Sequence, residues 1–344
     1  MTQQYLRNCS LIVADASGNG VELGALRVTF EVRRGDTQTP NTADVTVWNL
    51  STNTSNQMRG VGGVPEFQYL CLKVSYGSQP LTQIFAGSIK QIRQGREDQK
   101  NSYISITAAA GDGVYNFAPA AFTLAAGRTA EGTVKNLLAV GAAAAEAMNS
   151  AKPIFSADQQ LVEGYIPVPA LDPNRQIRGR VFFGSWRDEM RDFAKSQNCK
   201  WWIDDNGGLT VVPLTSFIPG GTVVITPETG LIGVPEQTQN GLSVRVLMNP
   251  NIRIGQTIKL DATINELRFG LDARSVGNNL SLQQGAAKVS ANGLYYVMKA
   301  EHFGDTRGNA WYTDLTCLSV DATVPSASST AQSTVASADS IPQY

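Results

Sequence analysis

The sequence predicts an α+β fold, mainly β, in which two β-rich parts flank a smaller α/β insert. Period-two alternation of apolar and polar residues dominates both outer parts, helical periodicity is confined to the middle, and short turn-forming clusters separate the runs. At 344 residues the chain is long enough for two or three cores.

The first part, residues 1–110, sets the pattern. Leu26, Val28, Phe30 and Val32 alternate with Arg27, Thr29, Glu31 and Arg33, as a half-buried strand requires. Leu70, Leu72, Val74 and Tyr76 repeat it, and so do Ile104 and Ile106. Turn signals lie at Ser17-Gly18-Asn19-Gly20, Pro40-Asn41, Gly77-Ser78 and Gly95. Ser51 to Arg59 reads as a short helix after a strand ending at Leu50. Several short strands at this spacing suggest a sandwich or a barrel.

The middle part, residues 111–213, has a different texture. Val134, Leu137, Leu138 and Gly141 share one helical face. A second helix should follow Gly184, with Ser185 and Asp188 as a capping box and Trp186, Met190, Phe193 and Ala194 as its apolar stripe. Asp188 and Glu189 early, with Arg191 and Lys195 later, suit the helix dipole. The helix should stop near Asn198. Cys199–Ile203 and Leu209–Val212 then read as a hairpin joined through Asp204-Asp205-Asn206-Gly207-Gly208.

The third part, residues 214–323, returns to β, with alternation at Val244 and Val246 and at Trp311, Thr313, Leu315 and Cys317. Residues 324–344 are Ser/Ala-rich without apolar periodicity, so a flexible tail, or an arm ordered by a neighbour, is expected there.

Charged residues are 17% of the chain, below the usual quarter or so. Such a surface suits burial against neighbours, and equally a polar, uncharged β surface. The net charge of −1 provides no global field toward nucleic acid or anionic membrane. Met1 to Ser10 has no apolar leader core, and no stretch approaches the ~20 apolar residues that span a bilayer. The Ala-rich run Gly141–Met148 is short and interrupted by Glu146. Synthesis in a cytoplasm is therefore expected. Cys9, Cys71, Cys199 and Cys317 are widely spaced, which predicts buried free thiols over a disulfide or metal cluster.

The sequence assigns no catalytic, cofactor-binding or metal-binding residue. Its one histidine, His302, reads as a satisfied structural residue, and one histidine cannot build a His-rich zinc site. There is no phosphate-binding loop, and Gly18-Asn19-Gly20 lacks the third glycine of a dinucleotide fingerprint. Three carboxylate pairs could in principle serve a glycosidase. Helix capping accounts for Asp188/Glu189, a turn for Asp204/Asp205, and a strand end for Glu301/Asp305. Arg175, Arg178 and Arg180 before Phe182-Phe183 hint at nucleic acid, but a solvated loop entering a strand is the preferred reading.

Leu26 to Leu50, LRVTFEVRRGDTQTPNTADVTVWNL, resembles the opening of baseplate hub proteins of tailed phages and prophages, the late control protein D-like hubs. Gly230 to Asp261, GLIGVPEQTQNGLSVRVLMNPNIRIGQTIKLD, is similar to the same family. So is His302 to Cys317, HFGDTRGNAWYTDLTC, preceded by a Tyr295-Tyr296-Val297 strand. The insert resembles the family in pattern more than in motif. Within these segments Pro250 should end a strand, and Gly304 to Asn309 should be a polar hairpin loop with a glycine at each side for awkward dihedrals.

The resemblance implies two tube-type β-barrel domains and an insert, assembled as a homotrimer on the tail axis. Six barrels would then match a sixfold tail tube above and a threefold spike below. Its partners would be tail tube or distal tail proteins, the spike, the tape-measure protein and, in transit, DNA. It implies a virion tail baseplate location, no cofactor and no enzyme activity. The Ser/Ala tail stands where some hubs carry lysozyme or other C-terminal modules, which puts a fused enzyme or spike in doubt. The runner-up is another tail-tube or spike-associated adaptor, followed by a tail-associated cell-wall hydrolase.

Overall fold

The computed structural model describes residues 6–61, 66–148, 161–167, 176–205, 207–238, 241–261 and 293–320. The expected C-terminal arm and Arg175 lie outside them.

The first part runs β1 (Arg7–Asp15), β2 (Gly20–Glu22), β3 (Val28–Gly35), β4 (Thr42–Trp48), α1 (Thr52–Met58), β5 (Phe67–Tyr76), β6 (Thr82–Arg96) and β7 (Ser102–Ala109). Val28, Phe30 and Val32 point inward on β3, and Ala43, Val45 and Val47 answer them from β4. Ser51 caps α1 by accepting the Thr54 N–H, as its position before the helix predicts. Two expectations change. β5 is buried on both faces, with Cys71 as enclosed as Leu70 and Leu72. Gly95 lies inside β6 and forms no turn: a Cβ there would sit 2.6 Å from the far end of the Tyr103 side chain across the sheet, so glycine lets that ring lie over the strand.

The insert comprises α2 (Asp112–Phe117), β8 (Pro119–Leu124), α3 (Ala130–Met148), β9 (Val162–Glu163), β10 (Arg180–Ser185), α4 (Trp186–Ser196), β11 (Cys199–Ile203) and β12 (Gly208–Pro213). Trp186, Met190 and Phe193 are fully buried and pack with Val134, Leu137 and Leu138 of α3 in a core of the insert's own. Gly141 lets the Trp186 indole close on α3, where Nε1 donates to Leu137 O at 2.8 Å. The expected capping box does not form. Ser185 is the N-cap, and also the last residue of β10, but its hydroxyl holds no backbone N–H. Glu189, not Asp188, reaches back, and its Oε1 accepts the Phe183 N–H at 3.2 Å. α4 ends as expected, with Asn198 in the left-handed region at φ 50°.

The last part holds β13 (Val223–Ile225), a 3₁₀ turn at Pro227–Thr229, β14 (Leu231–Thr238), β15 (Gly241–Leu247), β16 (Thr257–Leu260), β17 (Leu294–Asp305) and β18 (Trp311–Ser319). The two outer parts share one sheet, ordered β14-β15-β18-β17-β3-β4-β7-β6-β5-β1-β2, with β16 also on β17 and β13 on β16. β17 is the seam. Thr257–Lys259 of β16 pair with its first residues, a bulge follows between Val297 and Lys299, and Lys299–Asp305 then pair with β3.

Three cores result. One lies under the first part and also takes Met248 and Trp311, one is the insert's, and one lies under the last part. The opposite face of the seam carries paired charges. Arg33 pairs with Glu31 at 2.6 Å and Asp44 at 3.2 Å, Lys299 with Glu301 at 2.7 Å, and Arg245 with both oxygens of Asp314. All four cysteines are free, and burial pushes the Cys71 and Cys199 thiols up to about 11, so they serve as small apolar groups.

Gly304 corrects one further expectation. It belongs to β17, not to the loop, and its φ is not positive. An added Cβ would collide with the Phe30 ring, which packs edge-on to Trp311 at 5.6 Å. Gly304→Val should therefore destabilise the chain by about 1–3 kcal/mol through overpacking at the seam. The urea midpoint measures this, and an unchanged midpoint would mean that Phe30 moves aside freely.

Candidate functional site

The period that buries Val28, Phe30 and Val32 also turns Arg34 inward, at the end of β3. His302 takes the inward phase of β17 between Ala300 and Gly304, and Thr313 that of β18 between Trp311 and Leu315. Three polar side chains thus enter the interior where the first and last cores meet. Asp204 and Asp205 arrive from the turn of the β11–β12 hairpin. The sequence explains this pair by the turn alone, and the structure adds that Asp205 is only 4% exposed.

These groups contact one another. Arg34 Nε lies 2.7 Å from Asp205 Oδ2 as an ion pair, without the alignment of a hydrogen bond. Asn41 Nδ2 donates to Asp205 Oδ1 at 2.9 Å, and Gln83 Nε2 to the Asp205 carbonyl at 3.3 Å. Asp204 accepts from Trp202 Nε1 at 2.9 Å and Thr210 Oγ1 at 3.1 Å. Arg34 Nη1 approaches His302 Nε2 at 3.5 Å. A guanidinium has only donors, so Nε2 is the acceptor, and Nδ1–H donates to Thr313 Oγ1 at 2.8 Å.

A second knot lies beside the first. Asp36 Oδ2 accepts from Lys200 Nζ at 2.7 Å and Tyr296 Oη at 2.8 Å, and the Lys200 ammonium sits 3.8 Å over the Tyr296 ring. Each knot joins the first part, the insert hairpin and the last part. Arg34, Gln83, Tyr165, Asp204, Asp205 and Gln256 are among the residues around a cavity of about 250 Å³ at this junction.

The electrostatics follow from burial. Desolvation raises both carboxyl groups. Asp205 raises Asp204 further, and Arg34 opposes the rise in both. Burial, then the Arg34 charge, lowers His302 to about 3, so the imidazole is neutral at physiological pH. Both ring nitrogens are engaged and the side chain is fully buried, which suits a structural tie and leaves no nitrogen to act as a base on a substrate. Among the described residues no group of three or more His, Cys, Asp or Glu could hold a metal ion.

The other candidates stay apart. Asp188 is exposed and ion-paired to Arg191 at 3.0 Å, while Glu189 faces Arg180. Glu301 lies on the charge-paired face with Lys299, and Asp305 holds Arg27 at 3.1 Å. Phe182 is buried and stacked on Phe122, so the Phe182-Phe183 pair offers one exposed ring and not two.

Residues 170–270 match the family model described as baseplate hub gp41. The match supports a baseplate hub. It covers β10, α4 and the β11–β12 hairpin, together with β13 to β16. The fold is similar to that of the 43 kDa tail protein of prophage MuSo2 from Shewanella oneidensis, at 8% identity and a TM-score of 0.51, over 93% of this chain and 99% of that one. It is also similar to a tail protein from Neisseria meningitidis MC58, at 11% identity and a TM-score of 0.50, over 93% of this chain and all of that one. No curated protein matches the sequence. These likenesses show a fold shared with phage tail proteins, and the family-model match agrees with the hub resemblance read from the sequence. No helix among the described residues is long and apolar enough to cross a membrane.

Two outcomes test the junction. Asp205→Asn should cost up to about 3–5 kcal/mol, because the buried Arg34 loses its ion-pair partner and keeps only the less direct charge of Asp204. Chemical denaturation reads this, and a loss under 1 kcal/mol would mean that solvent already screens the pair. The second concerns pH. A histidine neutral when folded and ordinary when unfolded contributes stability above about pH 6.5 that is lost as the pH falls toward its folded value. At pH 5 the loss from His302 should be about 2 kcal/mol relative to neutral pH. His302→Gln should be less stable at pH 7.5 but should lack this share of the acid sensitivity. Parallel pH profiles of the two proteins would refute it.

Proposed function

We propose that the chain is a structural baseplate hub subunit that forms a homotrimeric ring around a central channel and adapts a sixfold tail tube to a threefold spike. On this reading residues 1–110 and 214–323 are two tube-type barrel domains, residues 111–213 an insert outside the ring, and residues 324–344 an arm. The β3–β17 ladder carries the proposal. It joins the two outer parts through seven paired residues of β17, Lys299 to Asp305, so that they move as one body. Three rigid chains with two barrels each supply six quasi-equivalent units related by about 60°. The insert's separate core agrees with a place outside the ring, since Trp186, Met190 and Phe193 face inward within it.

The charge-paired face of the shared sheet is the wall we assign to the channel. Arg33, Glu301, Asp314 and Arg245 lie in register across β3, β17, β18 and β15, and each is neutralised by a neighbour. Such a wall neither holds nor repels a passing polyanion strongly. The tape-measure protein and DNA would occupy the channel, with tail tube or distal tail proteins above and the spike below.

Native mass spectrometry of the chain with its spike partner should show three copies of this chain. A stable dimer, or six copies of this chain, would overturn the proposal. Electron microscopy of intact tails should place the face of Arg33 and Arg245 on the lumen and α4 outside the ring. A lumenal insert would defeat the adaptor mechanism.

A further inference from the structure

β8 and β10 form a two-stranded ribbon on the insert, and none of the described residues covers one face of it. Val181 and Phe183 alternate outward on β10 and are 69% and 82% exposed, and Ile177, in the bend before the strand, is 93% exposed. Opposite them stand small residues, Thr123 facing Val181 and Ala121 facing Phe183, and Phe117 beside β8 is 71% exposed. The other face is ordinary core: Phe182 is fully buried and stacks on Phe122 at 4.6 Å. Single exposed apolar residues are common, but Val181 and Phe183 on one strand face, with Ile177 before the strand and Phe117 beside β8, together mark an interaction surface.

Charge states what kind of surface. Arg128 and Arg178 are both exposed at the far end of the ribbon, where the Gln176 N–H donates to the Arg128 carbonyl. Neither side chain has an acidic partner among the described residues, whereas Arg180 is beside Glu189 and stacked over Phe182. Among the described residues the cationic end of the ribbon is therefore unbalanced. We infer that this ribbon face docks an apolar segment of a neighbouring tail protein that carries carboxylates against Arg128 and Arg178. The inference rests on the reading of the chain as a tail component. A second copy of the ribbon fits poorly, since it adds arginines and no carboxylate. Nucleic acid fits poorly as well, because Ile177 and Val181 are branched aliphatics that cannot stack on bases.

The test places a benzophenone amino acid at position 183 of the full chain and irradiates assembled tails. Presence of the chain in purified tails tests the tail reading first, and its absence would remove both claims. With the chain present, the expected result is an adduct with one segment of a different tail protein that contains apolar residues and Asp or Glu. That adduct should be lost in the double variant Arg128→Glu, Arg178→Glu. Adducts with another copy of this chain, with DNA or with lipid, or no adduct at all, would overturn the inference while leaving the tail reading standing. A companion variant, Val181→Ser with Phe183→Ser, should keep the thermal midpoint of the wild-type chain, because both side chains are exposed, yet be depleted from assembled tails. Undiminished incorporation would also overturn the docking role.

Discussion

A β-strand has two hydrogen-bonding edges, and β17 uses them to hold the molecule together. β18 occupies one edge along its length. The other is divided between β16 before the bulge and β3 after it. The bulge also shifts the inward phase of β17, from Tyr295 and Val297 to Ala300, His302 and Gly304. One strand thereby feeds two cores. β18 shows the same division without a bulge: Trp311 packs in the first core, Leu315 and Cys317 in the last, and Thr313 stands between them.

The polar junction sits at that division for a physical reason. A continuous apolar interior across the seam would oppose a one-residue slip of β17 against β3 but not a two-residue one, which keeps the same set facing inward. A two-residue shift here would part His302 from Arg34 and leave buried polar groups without their partners. The insert is locked to the same register, because its hairpin supplies Asp205 to Arg34 and Lys200 to Asp36. Arrangement of all three parts thus depends on a few polar contacts more than on the area of any one core.

Much of the fold was legible because it is written in local periods. The β3 and β4 strands, α1 with its Ser51 cap, the apolar stripe of α4 and the β11–β12 hairpin all appear where alternation and turn residues put them. What failed locally had a distant cause. Gly95 and Gly304 look like turn residues, but Tyr103 and Phe30, from other strands, explain them. Ser185 has a cap-box sequence and also a place in β10. Asp204-Asp205 reads as a turn because nothing nearby reveals that Arg34 and Asn41, more than a hundred and sixty residues earlier, will bury it. One signal was available: Arg34 continues the inward series of Val28, Phe30 and Val32, and a charge in that phase calls for a buried partner.

The low charge content gains a more specific meaning in this structure. An uncharged polar surface and a surface built for neighbours were equally compatible with composition. The seam face follows neither in pure form, since it carries Arg33, Glu301, Asp314 and Arg245 in cross-strand register and cancels them pairwise. Exposed pairs of this kind add little stability, so folding alone gives weak reason to place them there. Their effect is on the field: a sheet face that is well hydrated, hydrogen-bonding and close to neutral. The ribbon of the insert has the opposite character, apolar at Val181 and Phe183 and, among the described residues, uncompensated at Arg128 and Arg178. On the proposed reading one face would let a polymer slide past and the other would grip a neighbour, and the two surfaces differ in the way those tasks require.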